Sequence, residues 1–206
     1  MVIEGVLTTE NADGSMHVSP LGPHVNSDLN SWTLKPFQSS TTFTNLRAAS
    51  RAIFHVVDDS LLVAAAVLGL CNPYEGSIDD GQKDFDCGLS EEIRKELTSA
   101  EFQPSIGWVL ELSCRAFALS IDQWDVSNPR AIAVCSLTGQ IEKRPFWGWN
   151  RAKHSILELA IVASRVHMLD RSLIDDELNR HKIIIEKTAG AREWAAWELL
   201  NKRLSQ

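Results

Sequence analysis

The chain has 206 residues, of which 44% are hydrophobic and 23% charged, and this composition is typical of one folded domain or of a domain with an appended segment. The formal net charge is −7, and no basic stripe offsets it, so we expect no nucleic-acid partner. The sequence has no apolar run of about 18 residues and no secretion signal. We therefore expect no membrane span and a cytoplasmic protein.

The four cysteines, at positions 71, 87, 114 and 135, match no zinc-binding spacing. In a cytoplasmic chain they are expected to be reduced and unpaired, and we predict no metal site. The acidic stretch from Glu75 to Glu101 is expected to form a solvated loop and helix face.

The first 59 residues carry the most informative pattern. They predict two strands joined by a tight turn at residues 11–14 (Asn-Ala-Asp-Gly), then a loop and a third strand. A polar loop with Lys35 and the hydroxyl cluster 39–42 follows, then a short helix starting near Phe43 and another strand. The apolar, alanine-rich residues 60–70 predict a helix, and residues 71–88 predict a loop.

The rest of the chain changes from strand to helix periodicity. Ser90 predicts the N-cap of a helix, and residues 108–120 and 132–142 each predict one strand, the second with a kink at Thr138–Gly139. Residues 125–130 predict the turn between these strands. After Asn150 we expect one long helix over 151–171 that is buried on more than one side, a second from Ser172 to Gly190 and a third over 191–204. The third helix places four apolar residues on one face: Trp194, Trp197, Leu200 and Leu204.

The region around Lys35 has a pattern that suits a phosphate. A cation, several hydroxyl groups and the N-terminus of a helix together can hold a phosphate dianion. The alternative is that one serine or threonine of the cluster only caps the helix, and the sequence does not say which hydroxyl does which.

The order and spacing of these elements resemble a known family. The residues that carry the resemblance are the opening strand VIEGVLTT with Asp13-Gly14 and HVSP, the segment KPFQSSTT, the segment TNLR leading to FHVV, and NRAKH at 150–154. The chain is similar to the FMN-binding split-barrel superfamily, with its flavin reductase-like and pyridoxamine-phosphate oxidase-like members, and in particular to the branch known only as a domain of unknown function.

This resemblance implies a fold, an assembly and a cofactor. The fold would be a β-rich α+β protein, with a split β-barrel that binds flavin over residues 1–147 and a helical C-terminal region over 148–206 packed on the barrel. The protein would be a homodimer with FMN in the cleft at its interface. Carried over onto this sequence, the phosphate ligands would be Lys35, Ser39, Ser40, Thr41 and Thr42, with Asn45 close by. Lysine stands where many split barrels use arginine, and it supplies a point charge rather than a two-pronged fork.

Two further segments are candidates for the flavin or substrate side of the site. Ser19 and Pro20 begin a restricted loop that either faces a flavin ring or simply turns a barrel corner, and His24 in that loop is a candidate proton donor or a surface residue. Asn150, Arg151 and Lys153 share one helical turn, which either supplies positive charge to the flavin or only caps the helix. The aromatic segment 146–149 either stacks on the flavin or packs in a core or an interface.

The functional hypothesis is an FMN-dependent oxidoreductase of the flavin reductase type, with a nicotinamide as the possible reductant. The sequence lacks the motifs of α/β-hydrolases, zinc proteases, P-loop NTPases and Rossmann dehydrogenases. It identifies no catalytic residue, and hydride transfer to a flavin depends on proximity more than on a protein nucleophile. The alternative is a non-catalytic protein that stores or senses FMN.

Overall fold

The computed structural model describes residues 1–72 and 89–206, which form two compact units. The first unit contains Met1–Val57 and Thr98–Phe146, and the second contains Asp58–Leu97 and Trp147–Gln206. Residues 73–88, which include Cys87 and most of the acidic stretch, lie outside the described residues. The predicted domain boundary between residues 147 and 148 stays a prediction.

The first unit is built on a seven-stranded antiparallel sheet. Its strands are β1 (Val6–Glu10), β2 (Met16–Pro20), β3 (His24–Val25), β4 (Trp32–Leu34), β5 (Arg51–Val57), β8 (Ser113–Asp125) and β9 (Ile132–Glu142). Their order in the sheet is β2-β1-β5-β8-β9-β4-β3. The helix α1 (Thr41–Ala49) connects β4 to β5, and a separate hairpin pairs β6 (Ala100–Gln103) with β7 (Gly107–Leu110).

The predicted order of elements up to residue 59 is confirmed except for one additional short strand, β3, which lies between the second and the third predicted strands. Gly14 has a φ of +83°, which an L side chain rarely adopts, and its N–H donates to the Asn11 carbonyl at 2.9 Å, closing the turn between β1 and β2. Behind the sheet lies an apolar core in which the Trp32 ring contacts Phe54 and Phe117, with ring centroids 5.8 and 4.9 Å apart.

The strand predicted over 108–120 is wrong as a single element. It is two strands, β7 and β8, which pair in different sheets. The break falls at residues 111–112, where the buried Ser113 hydroxyl donates to the Leu110 carbonyl at 2.7 Å. The kink predicted in β9 is confirmed as a bulge, because Ala118 pairs with Gly139 and Leu119 with Leu137, which leaves Thr138 unpaired opposite them.

The second unit is helical. Its elements are α2 (Ser60–Val67), α3 (Glu91–Leu97), α4 (Arg151–Ala163), a short 3₁₀ helix (Val166–Met168), α5 (Arg171–Thr188) and α6 (Ala191–Leu204). Ser90 caps α3 as predicted, since its hydroxyl accepts from the Ile93 N–H at 3.3 Å. Helix α4 contacts α2, α5 and α6, which confirms that it is buried on more than one side.

The long helix predicted over 151–171 is wrong in its length. Helix α4 ends at Ala163, and the Ser164 hydroxyl donates to the Ile161 carbonyl at 2.7 Å. A serine that bonds to the backbone in this way competes with helix continuation. The third helix is confirmed over 191–204, although Trp194 on its predicted apolar face is 37% exposed.

These elements confirm the predicted class, a β-rich α+β protein with a curled antiparallel half-barrel and a helical C-terminal segment. In the part of the chain that the structure describes, no helix is long and apolar enough to cross a membrane.

Candidate functional site

The candidate site is the N-terminus of α1 together with the loop that leads into it. The loop is fixed by the turn between β8 and β9: the Gln38 amide donates to the carbonyls of Val126 and Asn128 at 2.9 and 2.7 Å. The Arg130 guanidinium lies 4.3 Å from the centroid of the Phe37 ring. These contacts hold the hydroxyl cluster in place before any ligand binds.

Ser40 is the residue that caps α1. Its hydroxyl accepts from the Phe43 N–H at 3.1 Å and donates to the Phe37 carbonyl at 2.7 Å. The first N–H groups of a helix have no partner within the helix. Within residues 1–72 and 89–206, the N–H groups of Thr41 and Thr42 have no acceptor.

The other members of the cluster divide into exposed and buried groups. Ser39 and Thr41 are exposed, and Lys35 is half-buried just after β4. Helix α1 has no acidic residue in its first turn. The open end of the helix therefore carries hydroxyl donors and the loop before it carries one cation, and this charge pattern favours an anion.

Thr42 and Asn45 are buried and join α1 to the β1–β2 hairpin. The Asn45 amide donates to Thr9 Oγ1 at 3.1 Å and to Asn11 Oδ1 at 2.8 Å, so both of its hydrogens are used inside the protein. Thr42 Oγ1 donates to Ser19 Oγ at 2.8 Å and lies 3.4 Å from His17 Nε2. The structure thus brings Ser19, Thr42 and Asn45 into one polar layer under the helix.

His17 is a member of this layer that sequence reasoning did not select. In the sequence it stands only within the HVSP segment, and its position two residues before Ser19, on the same face of a strand, is the available signal. Burial lowers the pKa of His17 below its ordinary value, so the ring is neutral at pH 7.

Pro20 and His24 lie on either side of the loop between β2 and β3. Pro20 ends β2 and is exposed, and His24 is an exposed residue of β3 paired with Thr33. Between them, Gly22 approaches the N-terminal segment closely: a Cβ there would lie 2.8 Å from Glu4 Oε2 and from Val2 Cγ1. The loop is therefore fixed in place, and His24 is open to solvent.

The predicted residues of the turn at Asn150 belong to the second unit. Asn150 is the N-cap of α4, since its Oδ1 accepts from the Lys153 N–H at 3.0 Å. The Lys153 ammonium donates to the Asp58 carbonyl at 2.5 Å. Arg151 is exposed. The capping role is therefore present in the structure, and Arg151 is the cation of this turn that faces solvent.

The described residues show no metal centre. Within 1–72 and 89–206, no group of three histidine, cysteine, aspartate or glutamate side chains lies together in a way that could hold a metal ion. Cys71, Cys114 and Cys135 are buried.

The fold and the open helix terminus define a class: an α+β protein with a curled antiparallel sheet and a polar, donor-lined site at its first helix. Family models then identify the family. A model described as "Protein of unknown function (DUF447) N-terminal domain" matches residues 3–84, and one described as "Protein of unknown function (DUF447)" matches residues 150–202. Together they cover well over half of the chain, which therefore belongs to the DUF447 family, as the sequence resemblance predicted.

A solved structure from the same family shows the same fold. The crystal structure of the FMN-bound protein MM1853 from Methanosarcina mazei, also of DUF447, is similar with a TM-score of 0.73 and 13% identity over 98% of this chain and 94% of that chain. Two weaker similarities are to an FMN-binding protein from Thermus thermophilus with bound 1-cyclohex-2-enone (TM-score 0.49, 13% identity, 68% and 70% of the two chains) and to the styrene monooxygenase flavin reductase of Pseudomonas putida S12 (0.47, 13%, 68% and 78%). The last two are too weak to carry an argument. A comparison with curated proteins gives no match.

Proposed function

We propose that this protein binds FMN, with the phosphate at the N-terminus of α1. The observation that carries the proposal is the open first turn of α1, with the free N–H groups of Thr41 and Thr42, in a chain that shares its fold with an FMN-bound protein of its own family. The exposed Ser39 and Thr41 hydroxyls and the Lys35 ammonium complete the set of donors.

The residues present fit a phosphate monoester. Such a group carries nearly two negative charges at pH 7 and has three acceptor oxygens. Lys35 and the partial positive charge of the helix terminus offset that charge, and no carboxylate in the first turn opposes it. Ser40 serves as the cap, while Thr42 and Asn45 hold α1 on the hairpin, so we assign these three to positioning the site.

The other candidate residues would act on the flavin ring. Ser19, Pro20 and His24 lie on or after β2, and Arg151 is the exposed cation of the turn at Asn150. A positive charge beside a flavin stabilises its reduced, anionic form. Asn150 and Lys153 are engaged in capping α4 and in the contact with Asp58, which leaves Arg151 as the proposed source of that charge.

We propose further that the protein is a flavin-dependent oxidoreductase of the flavin reductase type and acts as a homodimer. When bound, FMN supplies the hydride chemistry, and the protein contributes binding and orientation. A nicotinamide is the proposed reductant. The alternative, FMN storage or sensing, predicts a flavin-loaded protein that does not oxidise NADH or NADPH.

The first test is the absorbance spectrum of the purified protein, with release and identification of the chromophore. A protein that is colourless and takes up no added FMN would overturn the proposal. The second test is FMN affinity, by fluorescence titration of the Ser39→Ala and Thr41→Ala variants. Each lost hydrogen bond to a charged group is worth about 1.5–3 kcal/mol, so each variant should bind FMN at least about tenfold more weakly.

Two controls make this second test specific. Riboflavin, which lacks the phosphate, should bind both variants and the wild type equally. Thr44→Ala removes an exposed hydroxyl whose only hydrogen bond within residues 1–72 and 89–206 is a long one, 3.4 Å, to the Ser40 carbonyl, and it should leave FMN affinity unchanged. Equal losses for FMN and riboflavin would place the phosphate elsewhere.

A further inference from the structure

Three side chains, two on β2 and one on α1, form a hydrogen-bonded chain that takes no part in the proposed phosphate contacts. His17 and Ser19 lie two residues apart on the same face of β2, and Thr42 of α1 lies against both. The His17 Nε2 to Thr42 Oγ1 distance is 3.4 Å, and that from Thr42 Oγ1 to Ser19 Oγ is 2.8 Å. Thr42 is 4% exposed, so this contact is shielded from water.

A threonine has a single hydroxyl proton, so these hydrogen bonds can run in only one direction. We assign that proton to the bond with Ser19, and the Thr42 oxygen can then only accept from His17. The neutral His17 ring must then carry its proton on Nε2. Ser19 accepts from Thr42, which leaves the Ser19 proton to be donated, and no acceptor for it exists within residues 1–72 and 89–206.

In the part of the chain that the structure describes, no charged side chain bonds to His17, Ser19 or Thr42. Burial is the cause of the lowered pKa of His17, which keeps the ring neutral. The charged groups on the elements next to it are engaged elsewhere: Glu10 of β1 pairs with Arg51 at 2.6 Å, and Arg47 of α1 lies 5.5 Å from the Trp124 ring.

We propose that His17 is a positioning residue of the flavin site, which through Thr42 turns the Ser19 hydroxyl into a donor for an oxygen atom of the bound nucleotide. The proposal rests on FMN binding as proposed above. Hydrogen bonds in a chain polarise one another, so the donor at the end of this chain is stronger than an isolated serine hydroxyl. The acceptor is an oxygen either of the phosphate or of the flavin ring.

The first test needs no ligand. Nitrogen-15 NMR of the ligand-free protein above pH 7 reports which ring nitrogen of each histidine carries the proton, and the His17→Gln variant assigns the His17 signals. We expect the Nε2–H tautomer. The Nδ1–H tautomer would reverse the direction of the chain and overturn the proposal, whether or not the protein binds FMN.

The second test is a double-mutant cycle on FMN affinity. His17→Leu and Ser19→Ala should each weaken FMN binding about fivefold to tenfold, the effect of one hydrogen bond, and the double variant should be no weaker than either single variant. His17→Gln keeps an N–H donor and should retain most of the affinity. Losses that multiply in the double variant, or a His17→Gln variant as weak as His17→Leu, would show that His17 acts only through packing.

Riboflavin and a control variant complete the design. If the acceptor is a phosphate oxygen, riboflavin affinity should not change in any of these variants, and if it is a ring oxygen, riboflavin should lose the same factor as FMN. His167→Gln alters an exposed histidine of the second unit and should bind both ligands like the wild type. A wild type that binds neither ligand would refute the proposed function, while the tautomer would still decide the direction of the chain.

Discussion

His55 of β5 is a titratable side chain that is completely buried. The residue is 0% exposed, its Nε2 accepts from the Leu110 N–H at 3.3 Å, and its Nδ1 has no partner in the described part of the chain. Burial lowers the pKa of His55 to about 4, and the charge of Lys143 adds to the shift. The folded protein therefore holds this ring neutral at a pH where the unfolded chain would protonate it.

The protein should consequently lose stability as the pH falls from about 7 to 4. In this window the unfolded state binds a proton at His55, with a pKa near 6.5, and the folded state does not. The difference corresponds to about 3 kcal/mol of the free energy of unfolding, all of it present above pH 7 and lost by pH 4. Urea unfolding at pH 8 and pH 4.5 measures it.

Comparison of two histidine variants isolates this effect from that of other groups. His55→Gln should have a flatter dependence of unfolding free energy on pH than the wild type, whereas His167→Gln, at an exposed position, should keep the wild-type slope. The same slope in all three proteins would show that folding does not lower the pKa of His55.

At the scale of elements, the sequence predicts best those features that neighbouring residues determine. The β1–β2 turn follows from Asp13-Gly14, and the position of α1 follows from Ser40 three residues before Phe43. The break between β7 and β8 could not be predicted, because residues 108–120 keep an apolar pattern and only pairing with β6 and β5 separates them.

The same distinction holds for the candidate site. The hydroxyl cluster and Lys35 are contiguous in the sequence, so their place before a helix could be predicted. Which of the hydroxyls is buried depends on contacts with residues distant in the sequence, such as that of Thr42 with Ser19. The part played by His17 is visible only in the fold, for the same reason.

Asp59 joins two helices of the second unit and gives a prediction at this scale. Its Oδ1 accepts from the Leu62 N–H at 2.9 Å, which caps α2, and its Oδ2 pairs with Arg192 Nε of α6 at 2.6 Å. Asp59→Ala removes both contacts and should lower the unfolding free energy by about 2 kcal/mol. Asp59→Asn keeps a cap and should cost about 1 kcal/mol.

Chemical unfolding of the two variants separates the cap from the ion pair. Glu96→Gln is the matched control, because Glu96 also contacts Arg192, at 3.1 Å, but is half exposed; it should cost less than about 0.5 kcal/mol. If Asp59→Asn were as damaging as Asp59→Ala, the ion pair alone would account for the contribution of this residue.

At the scale of the whole molecule, the feature that bears on assembly is a pair of highly exposed tryptophans in the second unit. Trp147 is 77% and Trp149 90% exposed. They are not on a loose segment: the Trp147 N–H donates to Asp58 Oδ2 at 2.8 Å, and the Trp149 ring stacks on His154 with centroids 5.1 Å apart. Large aromatic side chains held at a surface are typical of the centre of a protein–protein interface.

We therefore expect a second copy of the chain to cover Trp149, in line with the proposed homodimer. Light scattering at micromolar concentration should give the mass of a dimer. Trp149→Ser should raise the dimer dissociation constant at least about fivefold, because a buried aromatic side chain at an interface contributes more than about 1 kcal/mol.

Met168→Ser, which alters an apolar side chain that is 71% exposed on the short 3₁₀ helix, should remain dimeric. A wild type that is monomeric while it still holds FMN would contradict a flavin site at a dimer interface, and the flavin would then be bound by one chain alone.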